Sequence, residues 1–340
     1  MAKNILNIAA IGCSEMGRIH IKGLTEIKGI NLYAICDSAR DDRLQKTKEE
    51  FNVPVAVKDY KELLGDENID AVLLVVPDQV HLEMTLAFLR DGMHVHCEKP
   101  MALTMEECVE MMRVEKETGK QLMIGQICRF TDNFKKAKEL VDAGRIGELY
   151  FVESEYAHHY GHARGYDDWR VTPERDGFIG GGCHAVDLLR WIAGDPYEIF
   201  SYGVHKLLPT VPYDDATISI MKFPNNVIGK IFVSTGCKRD YTMRTVLYGT
   251  KGTIICDNTS DHMQLFTVTD EGDTIFPAQI IPIDINNHNA VKEVAVFVDC
   301  INGAPLMMSA EEGAKSVVAC MAITESAKTG EKVVPNYNFD

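Results

Sequence analysis

The fold is decided by the stretch IAAIGCSEMGRIH, residues 8–20, in which a short apolar run meets a glycine turn and then a helix-like segment. Gly12 and Gly17 bracket the turn, and Ser14 stands where a dinucleotide-binding fingerprint usually has its second glycine. Gly12 would permit the tight turn, and Gly17 would permit close packing of helix against strand. The amides at the start of the helix would then face a pyrophosphate.

Short apolar strands alternate with amphipathic helices over the first 125 residues. The pattern predicts strands at 5–11, 30–36, 71–76, 93–97 and 121–124, and helices at 16–27, 39–51, 80–90 and 104–118. The last helix has Thr104 as its expected N-cap. This alternation predicts a parallel sheet covered by helices on both faces. Such sheets bind ligands beyond the carboxyl ends of their strands.

Asp37 ends the second expected strand, about 20 residues beyond the glycine turn, where a carboxylate reads the cofactor ribose. A carboxylate there accepts hydrogen bonds from a ribose diol and repels a 2′-phosphate, which favours NAD over NADP. Arg40 would partly offset that repulsion, so NADP stays open as the alternative. Asp37 is also an N-cap candidate for the next helix, and the two roles are compatible.

Two polar motifs follow strands directly, PDQVH at 77–81 and CEKP at 97–100. Lys99 supplies a compact positive donor, and Pro100 fixes the backbone that aims it. Because both motifs lie at the carboxyl edge of the sheet, we expect them to contact cofactor and substrate. The alternative is an ion pair that caps the helix after Thr104.

The pattern changes from about residue 126 onward. A helix is expected at 132–143 and two more at 291–301 and 310–328; strands are expected at 149–156, 199–206, 214–223, 227–236, 241–249, 252–257 and 262–268. Turn signals such as Pro224-Asn225-Asn226 separate the strands and predict antiparallel pairing. We therefore expect two domains, at 1–125 and 126–340.

An irregular stretch of roughly twenty residues, long enough to indicate function, runs from 156 to 177. Hydrogen-bonding side chains beside aromatic rings suit a sugar, and a solvated loop is the alternative. The polar candidates in it are His158, His159, Tyr160, His162, Arg164, Asp167, Asp168, Trp169 and Arg170.

No metal site is expected. Histidines that cluster in the sequence lack a compact ligand signature such as H-E-x-x-H, namely His158, His159 and His162, and His94 with His96. Cys183 and His184 are adjacent at a helix start, so their side chains diverge by about 100°.

The charge balance excludes two classes of partner. The 340 residues carry 35 basic and 50 acidic side chains, for a net charge of −15, which repels nucleic acid and anionic membranes. No apolar run approaches the roughly 20 residues that span a bilayer, and no signal-peptide pattern is present. None of the ten cysteines forms a C-x-x-C pair. We expect reduced thiols and a cytoplasmic location.

Together the motifs resemble the glucose–fructose oxidoreductase / inositol dehydrogenase (Gfo/Idh/MocA) family. The matching pieces cover essentially the whole chain in the family's order: IAAIGCSEMGRIH, the 77–81 turn, HVHCEKPMALT, GRIGEL, WR at 169–170, GGGCHAVDLLRW and SAEEGAKSVVACMAITESAKTGEKV. The resemblance implies an α/β protein with an N-terminal Rossmann domain and a C-terminal α/β domain built on a large open, mostly antiparallel sheet. It also implies NAD(P)-dependent oxidation or reduction of a sugar or polyol hydroxyl, in homo-dimers or tetramers assembled through that sheet.

The resemblance also implies roles for individual residues. His184 falls on the catalytic histidine, and Lys99 would orient the reacting hydroxyl. The cofactor-binding candidates are Gly12, Ser14, Glu15, Met16, Gly17, Asp37, Arg40, Pro77, His81, Glu98 and Lys99. The substrate-binding candidates are Lys99, Arg129, His158, Tyr160, Trp169, Arg170, His184 and Asp187.

One departure from the family's pattern stands out, because Gly180 occupies the position of an expected aspartate four residues before His184. Asp176, Asp187 or a loop residue would have to replace it. Glycines 180–182 are expected to let backbone pass close to nicotinamide and substrate. A glycoside oxidised at a ring hydroxyl such as C3 is one substrate expectation. An NAD-dependent glycoside hydrolase or lyase and a non-catalytic sugar or NAD sensor are the alternatives.

Overall fold

The computed structural model describes residues 5–161, 169–173, 175–269, 274–285 and 288–339. It divides into two compact units, each made of two stretches of chain. The first unit comprises residues 1–127 and 289–314, and the second comprises residues 128–288 and 315–340. The chain thus returns to its first unit late in the sequence, which the sequence pattern did not indicate.

The first unit contains a six-stranded sheet in the order β3-β2-β1-β4-β5-β6, with every pairing parallel. Its strands are β1 (Leu6–Ile11), β2 (Ile30–Cys36), β3 (Val55–Val57), β4 (Ala71–Leu74), β5 (His94–Glu98) and β6 (Leu122–Gly125). Strand β4 is buried at every residue, as its apolar run predicted. The short edge strand β3 was not predicted, because three residues carry too little pattern.

Five helices complete the first unit in the described residues: α1 (Glu15–Glu26), α2 (Asp41–Phe51), α3 (His81–Arg90), α4 (Met105–Thr118) and α7 (Ala290–Ile301). Thr104 caps α4 and forms a capping box with Glu107, which confirms the predicted N-cap. Helix α7 packs against α1. Gly23 makes this approach possible, because a Cβ there would lie 3.3 Å from the backbone nitrogen of Val291.

The second unit contains an eight-stranded sheet in the order β14-β13-β12-β11-β7-β10-β9-β8. The strands are β7 (Leu149–Ala157), β8 (Glu198–Val204), β9 (Ala216–Phe223), β10 (Val227–Ser234), β11 (Arg244–Gly249), β12 (Gly252–Asp257), β13 (His262–Thr267) and β14 (Gln279–Pro282). The predicted antiparallel pairing is confirmed except between β7 and β10, which run parallel. Strand β7 therefore lies inside the sheet, between β10 and β11, and β14 is an edge strand that the sequence pattern did not indicate.

Helices α5 (Asp132–Asp142) and α6 (Cys183–Ala193) pack on this sheet, and the boundary between the units falls within α8 (Ala310–Thr329). A turn of π-helix, Phe178–Gly182, precedes α6. No helix in the described ranges is long and apolar enough to span a membrane. A parallel Rossmann sheet and a large, mostly antiparallel second sheet confirm the predicted fold class.

Candidate active site

The glycine turn between β1 and α1 is closed so tightly that side chains are excluded. Gly12 has φ +102°, and a Cβ there would lie 2.1 Å from the carbonyl oxygen of Val75. A Cβ at Gly17 would lie 2.0 Å from the oxygen of Gly12. Ser14 is the N-cap of α1, but its side chain makes no capping bond, so the amides of the first turn are not covered by it. This is the geometry of a pyrophosphate-binding turn.

The carboxylate of Asp37, at the end of β2, is held by several donors at once. It accepts hydrogen bonds from the Cys13 amide at 2.9 Å and from Arg43 Nε and Nη2 at 2.8 and 2.7 Å. Burial alone would raise the pKa of Asp37, but these hydrogen bonds outweigh burial and lower it, so the group stays ionised. Asp37 is not the N-cap of α2; that residue is Arg40, whose guanidinium turns outward to Asp42.

Arg43 is a residue that sequence reasoning missed. It lies in the first turn of α2, where a basic residue in the sequence indicates only an ordinary surface charge. Only the fold brings its guanidinium onto the carboxylate at the end of β2 in a bidentate pair.

His81 stabilises the turn after β4 through contacts of both its ring nitrogens. Its side chain is fully buried, with Nδ1 2.8 Å from the Pro100 oxygen and Nε2 3.1 Å from the Val76 oxygen. Because carbonyl oxygens only accept, both ring nitrogens must donate, which requires an imidazolium. His81 was expected among the cofactor contacts; the structure instead uses its ring to join the Pro77 turn to the end of the Glu-Lys-Pro motif.

Glu98 of that motif points into a buried network of the first unit. Its Oε1 lies 2.7 Å from His20 Nε2, and its Oε2 accepts from the Lys99 amide at 3.1 Å. Burial would raise the pKa of Glu98, but the His20 hydrogen bond and nearby positive charges outweigh it and lower the pKa to about 2. Glu293 of α7 is fully buried nearby, and burial raises its pKa well above the usual range, which favours the neutral carboxyl.

Donor atoms of His20, Glu98 and Glu293 lie within 4.8 Å of one another, close enough in principle for a metal ion. No spacing in the sequence indicates this cluster, because the three residues come from α1, β5 and α7. The short His20–Glu98 contact already pairs two of the three groups without an ion.

In the second unit, the glycine run before His184 is packed against the protein's own side chains. A Cβ at Gly180 would lie 2.2 Å from Arg175 Nη1, one at Gly181 2.5 Å from Tyr156 Cε1, and one at Gly182 2.7 Å from Val233 Cγ2. These glycines were expected to admit cofactor and substrate. Side chains of this unit fill the space where each Cβ would stand, so packing also requires glycine at these positions.

His184, in the first turn of α6, is 4% exposed and has Nδ1 3.4 Å from the Cys128 sulfur. Its ring stacks on the ring of Tyr156, with the two ring centroids 6.1 Å apart. Asp187, one turn further on, does not orient this histidine: its carboxylate accepts from Arg129 Nε and Nη2 at 2.8 and 2.7 Å. Arg129 and Asp187 were expected to bind substrate, and the structure has them pairing with each other.

An aromatic and polar wall surrounds His184 within the second unit. The Tyr156 hydroxyl lies 3.0 Å from both His158 Nδ1 and the Tyr160 hydroxyl. The remaining wall residues are Tyr241, which packs on His158 at 4.8 Å, and His288, which packs on Tyr241 and on His184. The structure thus brings together the predicted His158, Tyr160 and His184. Sequence reasoning missed Cys128, Tyr156, Tyr241 and His288, because they are scattered along the chain.

The other loop candidates have different surroundings. Trp169 is covered by the guanidinium groups of Arg170 and Arg175, at 4.2 and 4.8 Å from its ring. His162, Arg164, Asp167 and Asp168 lie outside the described residues.

Comparison with known proteins identifies the family of this chain. The sequence model of the Gfo/Idh/MocA oxidoreductase family, with an NAD-binding Rossmann fold, matches residues 6–126, and the model of its C-terminal domain matches residues 134–255. The myo-inositol 2-dehydrogenase of Thermotoga maritima is 28% identical over 333 residues, which is 96% of this chain and 98% of that protein. The scyllo-inositol 2-dehydrogenase (NAD(+)) of Bacillus subtilis is 25% identical over 336 residues, or 96% and 95% of the two chains.

Among solved structures, levoglucosan dehydrogenase in complex with NADH has the same fold. It gives a TM-score of 0.89 over 97% of this chain and 99% of that one, at 19% identity. The two family matches together span most of the chain and include the glycine turn, the Glu-Lys-Pro motif and His184. The chain therefore belongs to the Gfo/Idh/MocA family of oxidoreductases, with an NAD-binding Rossmann fold in its first unit.

Proposed function

We propose that this protein is an NAD-dependent dehydrogenase that oxidises a secondary hydroxyl of a sugar, polyol or glycoside. The observation that carries the proposal is the buried His184 in a wall of Tyr156, His158, Tyr160, Tyr241 and His288. Such a wall offers ring faces to an apolar sugar face and hydrogen-bonding atoms to its hydroxyls. Relatives that match over 96% of this chain are named inositol dehydrogenases.

His184 is the proposed base. Oxidation of an alcohol requires the hydroxyl proton to leave as hydride leaves the carbon, and imidazole accepts a proton near neutral pH. Lys99, the lysine of the Glu-Lys-Pro motif, is the proposed orienting residue. Its ammonium group would donate to the reacting oxygen and stabilise the alkoxide charge that develops there.

NAD, when bound, accepts the hydride. The residues that would hold it are the Gly12–Gly17 turn for the pyrophosphate, Asp37 for the adenosine ribose, Pro77 on the nicotinamide side, and Glu98 for cofactor ribose. The turn fits this role because its close backbone approach leaves no room for a Cβ at Gly12 or Gly17. The ionised Asp37 favours NAD over NADP, and its bidentate partner Arg43 moderates that preference.

A screen of inositols, sugars and glycosides tests the proposal, with NAD and NADP reduction read separately. We expect steady NADH formation with at least one polyol or sugar, and a ring hydroxyl such as C3 as the position oxidised when a glycoside is the substrate. Glycoside cleavage without net NADH would instead identify a hydrolase or lyase. Binding without turnover across the panel would identify a sensor.

Variants test the base. His184→Ala should lose at least about 100-fold in kcat, the lower end of what a general base contributes. It should still bind NADH, measured by fluorescence titration. His262→Ala is the matched control, since His262 is the first residue of β13 and its side chain is 41% exposed and paired with Asp261. Near-normal turnover of His184→Ala would remove His184 from the mechanism.

We also propose that the protein forms a homo-oligomer through the open face of its second sheet. Tyr202 and Ile218 are register partners on β8 and β9, and with Ile220 and Ile228 they form an exposed apolar patch on one face. Ile220→Glu should convert dimers or tetramers to monomers in light scattering. An unchanged mass would place the interface elsewhere. A cytoplasmic location stays a prediction from the sequence.

A further inference from the structure

The tautomer of His184 decides whether its Nε2 nitrogen can act as a base. A neutral imidazole carries its proton on one nitrogen only, and the group opposite the other nitrogen selects which one. Here Nδ1 of His184 lies 3.4 Å from the sulfur of Cys128. Both residues are almost fully buried, at 4% and 3% exposed.

Two aspartates close in sequence to His184, both within the described residues, have other partners. Asp187 accepts from Arg129 through both oxygens and from the Ser316 hydroxyl at 3.0 Å. Asp176 accepts from the amides of 178 and 179 and from the Thr324 hydroxyl at 2.6 Å. The space of a side chain at 180 is filled by a guanidinium group. Neither aspartate therefore takes over the orienting role that position 180 lacks.

The direction of the Cys128 hydrogen bonds depends on which of its two neighbours takes the thiol proton. The thiol lies 3.6 Å from the Met243 thioether, which has no proton to give and can only accept. A thiol proton directed at Met243 leaves the sulfur lone pairs facing the histidine, where they can accept from Nδ1–H. Met243 is fully buried, and the Asn258 side chain holds its amide at 2.7 Å.

We propose that Cys128, aimed by Met243, is the positioning residue that keeps His184 protonated on Nδ1, so that Nε2 is the atom that takes the substrate's hydroxyl proton. The inference rests on the proposed role of His184 as the base. In this step the hydroxyl proton moves to Nε2 and the ring becomes an imidazolium. Nδ1–H continues to donate to the neutral sulfur. No change in the oxidation state of Cys128 is involved.

Nitrogen-15 NMR of protein labelled in its histidines tests the tautomer directly, with His184 assigned by its loss in His184→Ala. We expect the wild type to show Nδ1–H. In Met243→Leu the thiol proton loses its acceptor and turns to Nδ1, so the Nε2–H tautomer should grow. Because the rate follows the fraction of competent tautomer, kcat should fall about two- to tenfold.

The matched control is Met263→Leu, another fully buried methionine of the second unit. It should keep wild-type kcat and show the same melting temperature change as Met243→Leu. Cys128→Ala should lower kcat by a similar factor, and adding Met243→Leu to it should cause no further loss, since the two act through one interaction.

Three results would overturn the inference: an Nε2–H tautomer in the wild type, additive losses in the Cys128→Ala, Met243→Leu double variant, or unchanged kcat in both single variants. Failure of the proposed function looks different. In that case His184→Ala would turn over normally while the wild-type ring still showed Nδ1–H.

Discussion

Replacement of His81 by glutamine tests whether the ring that stabilises the turn after β4 is an imidazolium. The ring donates to the carbonyl oxygens of Val76 and Pro100 and is fully buried. Burial lowers the pKa of His81, but Cys97, Asp78 and the Pro100 carbonyl outweigh it and raise the pKa to about 10. A glutamine amide can still donate to one of the two carbonyls, but it carries no charge.

The raised pKa fixes the sign of the pH dependence. A histidine whose pKa rises from about 6.5 in the unfolded chain to about 10 in the folded state stabilises fully below pH 6.5 and loses that contribution as the pH rises to 10. Each pH unit between these limits costs about 1.4 kcal/mol. Between pH 7 and pH 10 the wild type should therefore lose on the order of 4 kcal/mol that His81→Gln does not lose.

Urea unfolding followed by circular dichroism at pH 7, 8, 9 and 10 measures this difference. Groups common to both proteins cancel when the variant is subtracted from the wild type. His94→Gln is the control, because burial lowers the pKa of His94 to about 4 and its Nδ1 accepts from the Gln121 amide. His94 is therefore neutral across the range. A wild-type minus His81→Gln difference that stayed constant from pH 7 to 10 would refute the imidazolium.

Three further predictions concern the packing and charge of both units. Gly180→Ala should cost about 1–3 kcal/mol in urea unfolding, because its Cβ would lie 2.2 Å from Arg175 Nη1, whereas Gly177→Ala, with its nearest contact at 3.4 Å, should be close to neutral. Arg43→Ala should increase the kcat/KM preference for NAD over NADP by up to about fivefold, since a positive charge near the ribose site is lost; an increased relative use of NADP would contradict this. Glu293→Gln should unfold like the wild type at pH 7 because burial raises the pKa of the carboxyl and favours its neutral form, while Glu293→Ala should lose about 2 kcal/mol or more to a cavity.

Much of the fold could be predicted because its signals are local. A strand, a glycine turn and a helix within residues 8–20 indicate the Rossmann start, and the apolar β4 indicates a sheet covered on both faces. Two features escaped prediction because they depend on distant pairing. Strand β7 pairs in parallel with β10, and α7 returns to pack on α1 after the whole second sheet has formed.

In the candidate site too, some residues could be predicted from the sequence and others could not. Glycine positions, the Glu-Lys-Pro motif and His184 stand out from the sequence, since each needs a particular residue at a particular turn. The partners of those residues do not stand out. Arg43 on Asp37, Glu293 beside His20, and Cys128 at His184 are separated by 6 to 273 positions and have no spacing rule.

The sequence alone determined the fold class and the family and singled out the candidate site residues, because backbone geometry and motif order leave local traces. The tertiary structure alone decided how those residues are held. It showed that Asp187 pairs with Arg129 and that the guanidinium of Arg175 occupies the space beside Gly180. It also showed that the thiol of Cys128 lies next to Nδ1 of His184. The physical reason is that the protonation and orientation of a buried side chain depend on its neighbours in space, and the chain assembles those neighbours only when it folds.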